Sequence, residues 1–313
     1  MRKTEIRVEP VDEFFARGPK LAESADRGRP IPPGTVAAVD DVAPPFGVLT
    51  PKGARIVNRL ACLIFVFLFL VVSAEAQNNI DGFVARIYKS AGGPWMPYRL
   101  FIPAGYDKAK EYPLVIWLHG SGSVGSDNVK QISGPSRLGT HTWTTPENQA
   151  KHPAFVMAPQ FSTGLTWNSI HGNDLSVAYQ MVVEILESLK TEFRIDPARV
   201  YIAGQSMGGY GTWELITRRP DLFAAAIPLC GGGSRERAAA IANMSIWVFH
   251  GGSDTTVPVT ESRKMIAAIK AAGGNPRYTE FKGVGHDVWL HAFKEPDLVD
   301  WVFAQRRSSG VNP

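Results

Sequence analysis

The feature that most constrains how this chain can fold is a serine set between two glycines, where an apolar run meets a helical pattern. The apolar run Val-Tyr-Ile-Ala at 200–203 leads into Gly204-Gln205-Ser206-Met207-Gly208, and an amphipathic stretch then extends to 218. A serine on a sharp strand-to-helix turn exposes its hydroxyl, and glycines two residues away keep side chains clear of the neighbouring backbone. The pattern therefore predicts Ser206 as a nucleophile; a structural serine in a glycine-rich turn is the alternative.

Short apolar runs alternate with longer helical patterns from residue 77 onward. The central runs are almost continuous in apolar residues, as is typical of strands covered by helices on both faces. The alternation predicts an α/β fold with a doubly wound, mostly parallel sheet, an antiparallel hairpin at its start and no large cap domain. The predicted strands are 84–88, 98–102, 114–118, 154–158, 200–203, 224–229, 246–250 and 277–281, and the predicted helices are 175–193, 208–218, 235–243, 261–272 and 297–305.

A carboxylate and a histidine follow the serine in the chain order that such a nucleophile requires. Asp254 comes directly after the apolar run 246–250, so we expect it at the same sheet edge as Ser206. Of the seven histidines, only His286 lies on a loop after this acid and before the last helical pattern. Because histidine titrates near pH ~6.5, its neutral ring accepts a serine proton at neutral pH. We therefore predict a catalytic triad of Ser206, Asp254 and His286, the alternative being an ordinary loop aspartate.

The segment Leu118-His119-Gly120-Ser121-Gly122 follows the most apolar strand and has the composition of a loop that binds an oxyanion. We expect the two oxyanion donors to be the backbone N–H groups of Ser121 and Met207. His119 precedes the nucleophile, so we interpret it as a structural residue that holds this loop. The polar stretch 121–152 is predicted to be either a binding loop or a disordered insertion.

Three tryptophans and one cysteine are further candidates near the site. Trp143, Trp167 and Trp289 are predicted to line a substrate pocket, since rigid aromatic walls suit apolar or aromatic esters; ordinary packing is the alternative. Cys230 is interpreted as a small buried hydrophobe rather than a second nucleophile.

The first 76 residues are predicted to lie outside the folded domain. Residues 1–54 are rich in proline, glycine and charge and are expected to be a disordered extension; we expect the true translation start to lie further downstream, near Val57. Residues 55–76 combine a basic flank, the apolar run 60–72 and an Ala-x-Ala site, which together indicate a signal peptide cleaved after Ala76. The catalytic domain is then 77–313, secreted or periplasmic, with no stable membrane partner; retention through 60–72 as a membrane anchor is the alternative.

Composition excludes several classes of function. The net charge is +4, and no cluster of lysine and arginine has aromatic residues between its members, so no nucleic-acid partner is expected. Two cysteines are too few for a disulfide framework, and no spacing of cysteine and histidine indicates a zinc site. No metal and no cofactor are therefore predicted.

Six motifs carry a resemblance to a known family: LHGSGSVGSDN, APQ, GQSMGGYGTWE, PLCGGG, HGGSDTTVPV and GVGHDVW. Together they resemble a family of bacterial α/β-hydrolases described as predicted peptidases or phospholipase/carboxylesterase-like proteins, similar to feruloyl and acetylxylan esterases. The resemblance spans about 98–305 and implies the same triad with a cofactor-free mechanism. The family often has a Glu-Arg pair after the oxyanion glycine, where this chain has Ser123-Val124.

These observations predict an exported serine carboxylesterase that works through an acyl-enzyme and acts on small or polysaccharide-linked esters. A serine peptidase of the same fold is the main alternative. Prolyl-peptidase relatives usually carry a gating domain, for which the length from residue 77 is expected to leave no room. A non-catalytic binding module that kept the fold is the third hypothesis.

Overall fold

The fold is built on a nine-stranded sheet with helices on both faces. The computed structural model describes residues 78–90, 93–161 and 176–307. The strand order across the sheet is β1-β2-β3-β5-β4-β6-β7-β8-β9. The strands are β1 (Asn79–Ile80), β2 (Phe83–Lys89), β3 (Trp95–Phe101), β4 (Tyr112–Leu118), β5 (Phe155–Pro159), β6 (Ile195–Gln205), β7 (Ala225–Leu229), β8 (Ser245–Gly251) and β9 (Arg277–Phe281).

The pairing changes once across the sheet, from antiparallel to parallel. β1, β2 and β3 pair antiparallel, and β3 also pairs antiparallel with β5. From β5 through β4, β6, β7 and β8 to β9 every pairing is parallel. The predicted doubly wound, mostly parallel sheet with an antiparallel start is thus confirmed. Parallel strands end at the same edge, so the loops after β4, β6, β8 and β9 meet there.

Seven α-helices occur among the described residues. Four of them agree at both ends, to within two residues, with the predicted helices 175–193, 208–218, 261–272 and 297–305. The predicted helix 235–243 is instead the 3₁₀ segment Arg235–Ile241. The helices are α1 (Arg137–His141), α2 (Pro146–Lys151), α3 (Val177–Glu192), α4 (Met207–Arg218), α5 (Thr260–Ala271), α6 (Trp289–Ala292) and α7 (Leu298–Ala304).

The alternation of side chains along the central strands divides the core into two layers. All seven residues of β4 are buried. Leu114, Ile116 and Leu118 face the layer that contains the apolar sides of α3, α4 and α5. Val115 and Trp117 face the opposite layer, which contains residues of α6 and α7. Burial on both faces explains why the central strands read as continuous apolar runs.

The stretch 121–152 forms short helical turns and the helices α1 and α2, and is therefore not a disordered insertion. Buried Arg99 on β3 anchors it by donating from Nε to the carbonyl of Asn128 at 2.5 Å. The side-chain oxygen of Gln160 accepts from the amide of Asn128 at 2.6 Å. No cap domain interrupts the part of the chain between β3 and α7 that the structure describes.

The predictions for the extension 1–54, the signal peptide 55–76 and the side chain of Trp167 fall outside the described residues. In the described part, none of the helices combines the length and the apolar character needed to cross a bilayer.

Candidate active site

Ser206 lies where β6 meets α4, and the backbone turns sharply there. Its φ is 55° and its ψ is −117°, a conformation that residues with a Cβ rarely adopt. The amide of Ser206 donates to the carbonyl of Leu229 at 3.0 Å, and the carbonyl of Ser206 accepts from the amide of Tyr210 at 3.0 Å. These two bonds hold the turn from β7 and from α4, and the serine remains half-buried at the sheet edge.

The two glycines beside the serine are required by close backbone contact. A Cβ on Gly204 would overlap the carbonyl of Gly208 in α4. A Cβ on Gly208 would overlap the carbonyl of Leu118 at the end of β4. The helix therefore packs directly on the strands, and any larger residue at either position would displace Ser206.

Three side chains form one hydrogen-bonded row at the carboxyl edge of the sheet. Nε2 of His286 lies 2.8 Å from Oγ of Ser206, and Nδ1 of His286 lies 2.7 Å from Oδ2 of Asp254. A carboxylate only accepts hydrogen bonds, so Nδ1 carries the ring proton and donates a hydrogen bond to Asp254. Nε2 is then free to accept the proton of the serine hydroxyl. The three residues predicted as a triad thus come together in the order that proton transfer requires.

The carboxylate of Asp254 has no exposed surface and is held on both oxygens. Its Oδ1 accepts from the amides of Thr256 and Val257, each at 2.9 Å. Burial alone would raise the pKa of Asp254, but the hydrogen bonds from His286 and from these amides outweigh it and hold the pKa below its usual value. The acid is therefore an ionised acceptor fixed in orientation.

Both predicted oxyanion donors begin a helical turn. Met207 is the first residue of α4, and Ser121 is the first residue of the 3₁₀ turn Ser121–Ser123. The first N–H groups of a helical turn have no partner within that turn, so they are suited to bind an oxygen of a ligand.

His119 is completely buried beneath this loop. Its Nδ1 donates to the carbonyl of Gly120 at 2.7 Å, and its Nε2 accepts from the amide of Phe161 at 3.0 Å. Burial lowers the pKa of His119 to about 4, which keeps the ring neutral. The ring links the loop after β4 to the end of β5, which agrees with a structural role.

The structure separates the predicted tryptophans. Trp289 is half-buried, and its ring lies edge-on to His286 with 5.8 Å between the centroids. Trp143 is completely buried and packs edge-on against Phe293 and Phe303, with Nε1 donating to Gly139. Trp143 is therefore part of the core layer that contains residues of α6 and α7, and its ring has no exposed surface that a substrate could contact.

Two buried residues lie next to the acid, and of these only His250 was not recognised from the sequence as part of the site. His250, at the end of β8, has Nε2 3.4 Å from Oδ2 of Asp254. Cys230 follows β7 with a φ of 40° and is fully buried, as expected for a small hydrophobe. The signal available in the sequence was a polar residue at the end of an apolar run. His250 stands at such a position, four residues before Asp254.

One cluster in the described part of the chain brings three metal-ligating groups together. The ligand atoms of Cys230, Asp254 and His286 lie within 4.8 Å of one another. Since Asp254 and His286 are already hydrogen-bonded at 2.7 Å, a metal ion would have to break that bond in order to enter. We therefore interpret the cluster by its proton-transfer geometry.

A groove lies elsewhere, at the amino ends of β8 and β9. It has a volume of about 360 Å³ and includes Ser245, Arg277 and Trp301. Because Ser206, Asp254 and His286 all follow carboxyl ends of strands, this groove is at the opposite edge of the sheet. The candidate site is therefore identified by its three hydrogen-bonded side chains and not by the volume of a groove.

Comparisons with known proteins identify relatives that are esterases. The sequence pattern of the prolyl oligopeptidase family matches residues 162–233. A probable feruloyl esterase C from Aspergillus terreus is 30% identical over 165 residues, which are 52% of this chain and 56% of the fungal protein. A bifunctional acetylxylan esterase/xylanase from Neocallimastix patriciarum is 29% identical over 168 residues, which are 53% of this chain and 22% of that protein. The chain thus spans about half the length of the first relative and less of the second.

A solved structure is more similar to this chain. The crystal structure of a thermostable esterase superposes with a TM-score of 0.70 and 38% identity, covering 73% of this chain and 64% of that one. The resemblance predicted from the six motifs is therefore confirmed. The chain has the α/β-hydrolase fold, and its relatives in sequence and structure include feruloyl esterase, acetylxylan esterase and a thermostable esterase.

Proposed function

We propose that the protein is a serine carboxylesterase that uses Ser206, His286 and Asp254. The observation that carries this proposal is the continuous hydrogen-bonded row, with 2.8 Å between His286 and Ser206 and 2.7 Å between His286 and Asp254. The similarity to esterases gives independent support.

In the first half of the reaction, Oγ of Ser206 attacks the ester carbonyl while its proton passes to Nε2 of His286. The ring then carries two protons, and Asp254 stabilises that charge through its bond to Nδ1. The tetrahedral intermediate collapses when the C–O bond to the alcohol breaks, and the alcohol takes the proton from Nε2. A water molecule repeats the sequence on the acyl-enzyme, releasing the carboxylic acid and restoring the hydroxyl of Ser206.

The amides of Ser121 and Met207 are proposed to bind the negative oxygen of both tetrahedral intermediates. Loss of one such donor typically reduces turnover by about 10²–10³-fold. The first positions of two helical turns suit this role, because their N–H groups have no hydrogen-bond acceptor within the turn.

Trp289 is proposed to form one wall of the substrate pocket. It is half-buried and stands at right angles to the ring of His286. The names of the relatives point to esters of aromatic acids and to acetyl esters of polysaccharides. A half-buried indole beside the base would contact a planar acyl group more strongly than an acetyl group.

The test is hydrolysis of p-nitrophenyl acetate, butyrate and octanoate and of methyl ferulate by the full chain. We expect turnover by the parent and none above background by Ser206→Ala. Turnover that survives in Ser206→Ala would remove Ser206 as the nucleophile. Trp289→Ala should raise KM for methyl ferulate more than for p-nitrophenyl acetate, while Trp95→Ala, a change at an exposed tryptophan on β3, serves as the matched control.

A serine peptidase is the second candidate, favoured by the match of 162–233 to the prolyl oligopeptidase family. Peptidase and esterase activity would use the same row of side chains, so geometry does not separate them. A panel of blocked peptide p-nitroanilides, with proline and with other residues before the scissile bond, does. Cleavage of a peptide with a higher kcat/KM than every ester, abolished in Ser206→Ala, would move the assignment to a peptidase.

Export is proposed from the sequence of the N-terminal region. The apolar run 60–72, its basic flank and the Ala-x-Ala site ending at Ala76 support removal of 55–76 as a signal peptide and a catalytic domain at 77–313. A relative from Arthroderma benhamiae is described as a secreted protein. Sequencing the N-terminus of protein from the native host should give Gln77, and a mature chain beginning upstream of Leu60 would contradict the proposal.

A further inference from the structure

A second histidine lies directly beneath the acid and takes no part in the proton transfers described above. His250 is the penultimate residue of β8, and its side chain has no exposed surface. Its Nδ1 lies 2.7 Å from Oγ of Ser262 on α5. Its Nε2 lies 3.0 Å from the carbonyl of Val257 and 3.4 Å from Oδ2 of Asp254. The ring therefore joins a strand, a helix and the turn that carries the acid.

These partners determine which ring nitrogen of His250 holds the proton. The carbonyl of Val257 and the carboxylate of Asp254 are both acceptors, so Nε2 must carry a hydrogen; a bare Nε2 would place a lone pair against two oxygens. Burial lowers the pKa of His250, which favours a neutral ring. A neutral ring with its proton on Nε2 has an accepting Nδ1, so the hydroxyl of Ser262 donates to it at 2.7 Å rather than to the carbonyl of Gly231 at 3.2 Å. The two acceptors at Nε2 thus select the tautomer.

The bond from His250 closes a small ring of contacts around the acid. Nε2 donates to the carbonyl of Val257, and the amide of Val257 donates to Oδ1 of Asp254 at 2.9 Å. Val257 therefore accepts a hydrogen bond from His250 through its carbonyl and donates one to Asp254 through its amide. Rotation of either peptide plane that flanks Val257 would therefore break one of these two bonds.

We propose that His250 is a positioning residue for the triad: its Nε2–H fixes the turn 254–257, which sets where Asp254 holds the ring of His286. This inference rests on the proposed function, because it assigns His250 a role in the same reaction. A general packing role would lower activity whether or not Asp254 is present. The effect of a positioning residue on kcat must instead pass through Asp254 alone.

Two substitutions separate the donor from the rest of the ring. His250→Gln places an amide N–H close to the position of Nε2 and keeps the bond to Val257. His250→Asn places its amide near Nδ1, keeps a contact with Ser262 and loses the donor to Val257. We expect His250→Asn to lower kcat by about 10–10²-fold, the loss that follows from an ångström-scale misplacement of catalytic groups. KM should stay within about threefold, and His250→Gln should recover most of the lost rate.

The decisive measurement is a double-mutant cycle with Asp254→Ala in the full chain. If His250 acts through the acid, then His250→Asn should cost less than about twofold once Asp254 is absent. Multiplicative losses, or a His250→Asn variant as active as the parent, would overturn the inference. Should His250→Asn fail to fold, Ser262→Ala tests the same chain of bonds, with an expected severalfold loss of kcat that also vanishes beside Asp254→Ala.

Two controls keep the outcomes distinguishable. His141→Asn removes a histidine bonded to Asp81 on the surface of the domain, and should change neither kcat nor KM. If Ser206→Ala keeps full activity, the proposed function fails whatever His250 does. If Ser206→Ala is inactive while His250→Asn is normal, the inference about His250 alone fails.

Discussion

Replacing Ser206 by glycine should give a more stable protein than replacing it by alanine. Ser206 holds a φ of 55° and a ψ of −117°, and such a conformation costs a residue with a Cβ ~1–3 kcal/mol. Ser206→Ala keeps the Cβ and the strain, whereas Ser206→Gly removes both. Glycine loses more backbone entropy on folding, which costs ~0.5–1 kcal/mol relative to alanine. The glycine variant should therefore be more stable by about 1 kcal/mol, within limits of about 0 and 2.5 kcal/mol.

Urea unfolding of the two full-chain variants, followed by tryptophan fluorescence, measures this difference. A gain of 1 kcal/mol should also raise Tm by ~2–4 °C in a domain of this size. Neither variant has a nucleophile, so the comparison is independent of activity. Ser188, in the middle of α3, provides the control: there the glycine variant should be less stable than the alanine variant by ~1 kcal/mol. The same order at Ser206 as at Ser188 would refute the idea that the turn is strained.

Four further outcomes follow from the contacts of single residues. Asp254→Asn should lower kcat by about 10³–10⁴-fold, because an amide that donates to Nδ1 of His286 selects the wrong tautomer; a loss below about tenfold would contradict this. Burial raises the pKa of Asp254 but the hydrogen bonds lower it further, so the acid stays ionised. The profile of kcat/KM should then rise along one limb over about pH 5–8, the range that brackets an ordinary histidine, and a flat profile would count against a histidine base. Burial raises the pKa of the Cys230 thiol, so mass spectrometry should find iodoacetamide on Cys230 only after unfolding in urea. The hydrogen bond from Arg263 lowers the pKa of Glu280 to about 2. Since a free glutamate titrates near ~4.3, this pair should stabilise the fold above that pH and cease to do so as the pH falls toward ~2. In urea unfolding across that pH range, the free energy of unfolding should depend less on pH in Arg263→Gln than in the parent.

The main elements of the fold could be predicted because their signals are local. Eight of the nine described strands overlap the predicted strands, and the serine turn was visible from two glycines that the backbone contacts require. β1 has only two residues and leaves no periodic pattern. The helices α1 and α2 were missed because glycine, threonine, proline and serine dominate that stretch, and tertiary contacts such as the bond from Arg99 decide its conformation.

The contacts between distant residues were harder to predict. The order of Ser206, Asp254 and His286 along the chain was enough to propose that they meet, since parallel strands share an edge. His250 gave no such signal, because a histidine in an apolar run reads as part of a strand until the partner Ser262 is seen on α5. Trp143 is the opposite case: its rigid aromatic ring suggested a pocket wall, whereas the ring packs edge-on against Phe293 in the core.

The position of β9 has a consequence for when the chain can become an enzyme. Within the described sheet this strand pairs only with β8, and His286 comes after it. During synthesis the serine turn and the acid leave the ribosome before the base does. A nascent chain whose last strand has not docked has Ser206 and Asp254 but no His286 beside them to accept the serine proton. Under the proposed function, the growing polypeptide stays inert toward esters until its final strand is in place, and the appearance of activity during translation would mark completion of the sheet.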